Sequence, residues 1–188
     1  MEARQRYWTK GSTQKDFITK SLCVIDSNHA QLHESKGFTL ISKNPALAAG
    51  AFANLRIDIP ADVYVHFQVA RLASGGYAAL SLYELLNLGT GGSIVTPNNH
   101  NRAYSVPSVV TVTKNITANL TGALELDHIH AGSEGGVGGS KSAGGTQDAG
   151  INEWILRPES SYLVQVENRD VAAIDILVGA FWYEEEAG

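Results

Sequence analysis

From Phe38 onward the chain is a succession of short segments in which apolar and polar residues alternate, each closed by glycine, proline, serine or asparagine. A period of two is the pattern of a strand with one face in a core and the other toward solvent. "ANLRIDIP" sets Leu55, Ile57 and Ile59 against Arg56 and Asp58 and is closed by Pro60. "DVYVHFQVARL" places Val63, Val65, Phe67 and Val69 on one face and Tyr64, His66 and Gln68 on the other. "YAALSLYELLNL" carries Leu80, Leu82 and Leu86 through a strand ending near Gly89, and "VPSVVTVTKNI" is a further β-branched run. "GALELDHIHAG" alternates through Leu124, Leu126 and Ile129, followed later by "EWILRP", "SYLVQVEN" and "AIDILVGAFWYEE". No segment supports a helix of a dozen residues. The best helix candidate, "NPALAAGAFA", is limited to about one turn by Pro45 and Gly50. Many short strands separated by turn signals predict an all-β fold, a β-sandwich or jelly roll, over residues 38–188, with Phe67, Leu82 and Leu156 in its core.

Composition agrees with that class. Charged residues are only 18% of the chain and glycines number 19, which suits a fold rich in tight turns. The net charge of −5 argues against nucleic acid as a partner. One cysteine, Cys23, excludes an internal disulfide. The opening "MEARQRYWTKGSTQKDF" has no apolar core of a secretory signal, and no stretch is long and apolar enough for a membrane span, so a soluble protein without a membrane partner is expected. Residues 1–37 form an N-terminal arm, with short strands in "SLCVIDSNHAQLHE" around Asp26, Ser27 and Asn28. The arm is either an unstructured terminus or a tether that docks Tyr7 and Trp8 on a partner.

"HIHAGSEGGVGGSKSAGG", residues 128–145, carries the sharpest chemical signal. On a strand, His128 and His130 share a face and can converge on one metal ion. Gly122, five residues, His128-x-His130, three residues and Glu134 resemble the first metal-binding motif of the cupins. The second cupin motif requires a later histidine, and none follows His130; the glycine expected at position 141 is Lys141. A catalytic metal held by His128, His130 and Glu134 is therefore the lesser reading, and no cofactor is expected. The histidines are read as the root of a glycine-rich loop joining two strands. Other catalytic patterns fail sooner. "GTGGS" is not followed by the lysine and helix of a phosphate loop, and nothing fixes His29 or His33 as a base for Cys23. Asn115-Ile-Thr117 and Asn119-Leu-Thr121 mark strand ends and turns.

The last strand, "AFWYEEE", puts Phe181 and Tyr183 on one face and Trp182 on the other. Large apolar groups on both faces fit an interior strand or a subunit interface. Phe181, Trp182, Tyr183 and Trp154 are candidates for such an interface.

Four motifs recur in order: Ser81-Leu82-Tyr83-Glu84, Thr96-Pro97-Asn98-Asn99-His100-Asn101-Arg102, Glu153-Trp154-Ile155-Leu156-Arg157-Pro158 and Trp182-Tyr183-Glu184. Over residues 38–186 this succession resembles a family of small structural proteins of tailed bacteriophages. The resemblance implies a jelly-roll-like fold, a homotrimer and a place in the virion, with no reaction catalysed. The first expectation is a capsid decoration protein that sits on the phage head, binds the major capsid protein and reaches across subunits with its arm. A tail, baseplate or host-surface adhesin component is the second, and a cupin-like metalloprotein the third.

Overall fold

The structure, a computed structural model, describes residues 14–15, 22–23, 31–132 and 153–186. Within the arm, β1 (Gln14–Lys15) and β2 (Leu22–Cys23) form a small antiparallel pair. The remaining strands are β3 (Gly37–Leu47), β4 (Phe52–Asp58), β5 (Val63–Ser74), β6 (Ala78–Leu85), β7 (Ser93–Val95), β8 (Asn98–Asn99), β9 (Thr111–Lys114), β10 (Leu124–Ala131), β11 (Glu153–Leu156), β12 (Ser161–Asn168) and β13 (Ile174–Glu186). They build two antiparallel sheets, one ordered β10-β6-β12-β4-β9-β7 and the other β11-β5-β13-β3-β8.

The connectivity is that of one long hairpin wrapped around a barrel axis. β3 pairs with β13, β4 with β12, β5 with β11 and β6 with β10, so the two halves of the chain run back along each other. Wrapping then brings β13 against β5 and β12 against β6, which closes the sheets side by side. This is the jelly roll the alternation predicts. Residues 86–123 are an insertion at the hairpin tip. They cross the molecule to add β9 beside β4, β7 beside β9, and β8 beside β3.

The space between the sheets is filled by the apolar faces read from the sequence. Leu55, Ile57 and Ile59 are buried, as are Val63, Val65, Phe67, Leu80, Leu82 and Leu156. Across the five-stranded sheet, Trp154, Phe67, Trp182 and Phe38 stand in direct register on four neighbouring strands, a row of four aromatic rings facing the core. Ring centroids are 6.4 Å apart for Phe67 and Trp182 and 6.1 Å for Phe38 and Trp182. Such spacing lies within the range for favourable aromatic pairs.

Several local expectations are corrected. No helical turn forms in "NPALAAGAFA"; β3 runs on to Leu47, and Pro45 sits at a bulge where two residues, Pro45 and Ala46, face the single Asp175. A bulge is where a strand tolerates a residue lacking an N–H, and Ala46 adopts φ 49° with its N–H donating to Asp175 Oδ1 at 2.8 Å. Gln31–His33, expected as strand, is a single helical turn. β6 stops at Leu85, leaving Leu86 76% exposed in the following loop. β10 also bulges between Glu125 and Asp127, which shifts its parity, and Leu124 at its start is 60% exposed rather than in the core.

Candidate functional site

The chemistry-bearing residues gather on the outer face of the six-stranded sheet. β10 is its edge strand, and beyond the bulge His128 lies opposite Ser81 and His130 opposite Ala79. Gln165 and Glu167 continue the same rows on β12. Ala79, Ser81, His128, Gln165 and Glu167, together with Tyr83, Glu125 and Arg169, line a shallow polar groove of about 300 Å³.

Each histidine is held from behind. His128 Nδ1 lies 2.6 Å from Ser81 Oγ and 3.1 Å from Glu125 Oε1. His130 Nδ1 lies 3.2 Å from the Tyr77 hydroxyl, whose ring stacks on the imidazole at 5.6 Å. The two remaining nitrogens, Nε2 of His128 and Nε2 of His130, face each other at 3.2 Å. Nearby, Arg169 Nε donates to Glu167 Oε2 at 2.6 Å. Hydrogen bonds to Glu167 and then Tyr77 raise the guanidinium above its ordinary value.

This arrangement is not a nucleophilic relay. A serine activated by histidine needs the hydroxyl and the orienting carboxylate on opposite ring nitrogens. Here Ser81 and Glu125 share Nδ1 of His128, and Nε2 faces another imidazole. As to metals, no group of three ligating side chains occurs among the described residues. Glu134, the third ligand suggested by the sequence, lies outside the described residues. Ser81, Glu125 and Tyr77 escaped the sequence reading. Ser81 on β6 and Tyr77 just before it lie some fifty positions earlier, and the bulge displaces Glu125 from simple alternation with the histidines.

The interface candidates fall in different places. Trp182, expected as a possible contact residue, is 2% exposed in the inter-sheet core and is not available to a partner. Trp154 packs against the same core from the edge strand β11. Tyr183 lies on the outer face of the five-stranded sheet but is nearly covered, stacked on His66 at 4.3 Å with 10° between the rings. Its hydroxyl donates to Glu153 Oε1 at 2.8 Å, and His66 bridges Glu153 and Glu185 at 2.6 and 3.2 Å. Phe181 is half-buried beneath the His100 ring, whose centroid is 5.1 Å away. Tyr7 and Trp8 lie outside the described residues.

The motifs of the sequence contact one another. Glu84 pairs with Arg157, and Tyr183 bonds to Glu153. Asn99, buried at 4%, donates to the carbonyls of Ser35 and Val106 at 2.6 and 3.0 Å, pinning the insertion to the turn before β3.

One apolar surface stands out. Loops 86–92 and 115–123 are laced together by the Thr90–Thr117 bridge and by Asn87 Nδ2 donating to the Thr121 carbonyl at 2.9 Å. Beneath them Leu85, Ile116 and Leu163 form a second small core. On these two loops Leu86, Leu88 and Leu120 are 76, 52 and 38% exposed, and Leu124, at the start of β10 on the other face of the sheet, is 60% exposed.

No protein-family model matches the chain, and no curated protein or solved structure matches it.

Proposed function

We propose that this protein is a non-enzymatic structural component of a tailed-phage particle: a homotrimeric decoration protein that binds the major capsid protein and stabilises the head. Support comes from the order of the four motifs over residues 38–186, and from the leucine cap of the 86–92 and 115–123 loops. The cap is the observation that carries the reading. Three leucines on these loops, Leu86, Leu88 and Leu120, are 38 to 76% exposed, and the loops are fixed by backbone bonds and a core of their own. Exposed leucines grouped on two linked loops mark association, and loops that are already fixed lose little entropy on docking. The arm adds a second anchor, and three chains in one particle multiply weak contacts.

The test is reconstitution. Purified protein is added to heads lacking it; the particles are pelleted, then challenged with heat and low salt. Saturable binding that toughens the shell is expected, with binding abolished in a Leu86→Glu/Leu88→Glu variant that melts like the wild type. Failure of the wild type to bind heads would sink this role; binding to purified tails or host cells instead would identify a tail or adhesin component.

A further inference from the structure

We infer that His128 and His130 form a binding site for one borderline-soft divalent ion such as Zn²⁺, with Glu125 and Tyr77 as the groups that orient the two imidazoles. The sequence alone argues against a catalytic metal here, because it lacks the third histidine of the cupin pattern. The geometry supports a different site: two histidines, on the surface, with open positions left to water.

Three features of the site converge. The Nε2 atoms lie 3.2 Å apart. Two imidazoles bound to one tetrahedral ion at about 2.0–2.1 Å place their nitrogens about 3.3 Å apart. Both Nδ1 atoms are engaged from behind, His128 by Glu125 and Ser81 and His130 by the Tyr77 hydroxyl. A ligating histidine characteristically donates its other N–H to a carboxylate or another oxygen, which fixes the tautomer and turns the lone pair of Nε2 outward. Finally, the pair is accessible: the His128 side chain is 34% exposed on an edge strand, so an ion can reach it without opening the fold.

The proton inventory is consistent. With Nδ1–H of His128 donating to Glu125, Nε2 of His128 carries the lone pair, and without an ion it accepts the Nε2–H of His130. Metal binding replaces that hydrogen bond. His130 changes tautomer as the ion binds: its Nε2 proton is released to water and Nδ1 takes one up from water, with the Tyr77 oxygen accepting from Nδ1–H, so that both Nε2 lone pairs face the ion. Imidazole donors favour zinc, nickel or copper over magnesium or calcium.

Zn²⁺ titrated into the full chain and followed by calorimetry is expected to bind at one ion per chain, with Mg²⁺ giving no heat. His128→Asn and His130→Asn should each abolish binding, and Glu125→Gln or Tyr77→Phe should weaken it by about 10–100-fold. Melting curves provide a second reading, since Zn²⁺ should raise the wild-type melting temperature but not that of either histidine variant. Absence of saturable binding to the wild type overturns the site, as does undiminished binding in either single histidine variant.

Discussion

The indole Nε1–H of Trp182 donates to Oε1 of Glu184 at 3.1 Å, two residues apart on the same face of β13 and both buried. The same carboxylate accepts from Ser108 Oγ and from the Val109 N–H. A carboxylate taken into the rim of a core is tolerated because each of these donors meets it. It thereby ties the inserted segment to the last strand of the jelly roll. Glu184→Ala removes all of this at once and leaves the indole as a buried donor without its acceptor, at about 1–3 kcal/mol. Glu184→Gln keeps one acceptor and the volume, so its loss should be smaller. Urea unfolding of the two variants ranks them; an alanine variant as stable as the glutamine one would contradict this account.

The aromatic row makes a sharper demand. Phe67 is fully buried with a ring on each side, so Phe67→Ala opens a cavity that neither Trp154 nor Trp182 can fill by rotation. We expect about 3–5 kcal/mol of lost stability, enough to threaten folding at 37 °C. Phe67→Leu keeps most of the volume and should cost well under half as much. Equal midpoints for the two variants in denaturant would mean the row is not close-packed.

Much of this fold was legible because a jelly roll is built from two-residue periodicity, and the chain states that periodicity openly. Leu55, Ile57 and Ile59, or Val63, Val65 and Phe67, need only alternation to be assigned inward. What alternation cannot convey is where it slips. The bulge at Pro45–Ala46 and the one between Glu125 and Asp127 each change parity for reasons that lie in the partner strand. The wrapped pairing of β6 with β10 was equally hidden, and with it the contacts of Ser81 and Tyr77 with the histidines. His128 and His130 themselves were visible from their spacing. The groups that aim them were not, since nothing local in the sequence relates position 77 to position 130.

The glycine-rich stretch illustrates the same limit. Composition treats its glycines alike, yet Gly132 occupies φ +82°, and a Cβ there would lie 2.4 Å from the Gly76 carbonyl oxygen. Gly132→Ala must therefore push the end of β10 away from the start of β6. Gly50 has a similar φ of +68° with nothing within 4 Å of its would-be Cβ, so Gly50→Ala carries only the backbone term, about 1–2 kcal/mol. Gly132→Ala should cost distinctly more than that. Thermal unfolding of the two variants side by side separates steric from conformational cost, and the reverse order would show that the β10–β6 end is loose.

The stack of His66 on Tyr183 decides whether that tyrosine serves the fold or a partner. Its hydroxyl bonds to a carboxylate that His66 also engages, so Tyr183→Phe deletes one hydrogen bond without orphaning Glu153. The ring and its stacking remain. A loss of about 0.5–1.5 kcal/mol is expected, rising to about 1.5–3 if the charge on Glu153 strengthens the bond. A double-mutant cycle with Glu153→Gln should return a coupling energy of the same sign, because the two side chains touch. Light scattering on the same variants reads association separately. With Tyr183 only 9% exposed in the single chain, the substitution should lower stability and leave the number of chains per particle unchanged. Dissociation of the assembly at unaltered chain stability would reverse that assignment and place Tyr183 at an interface between copies.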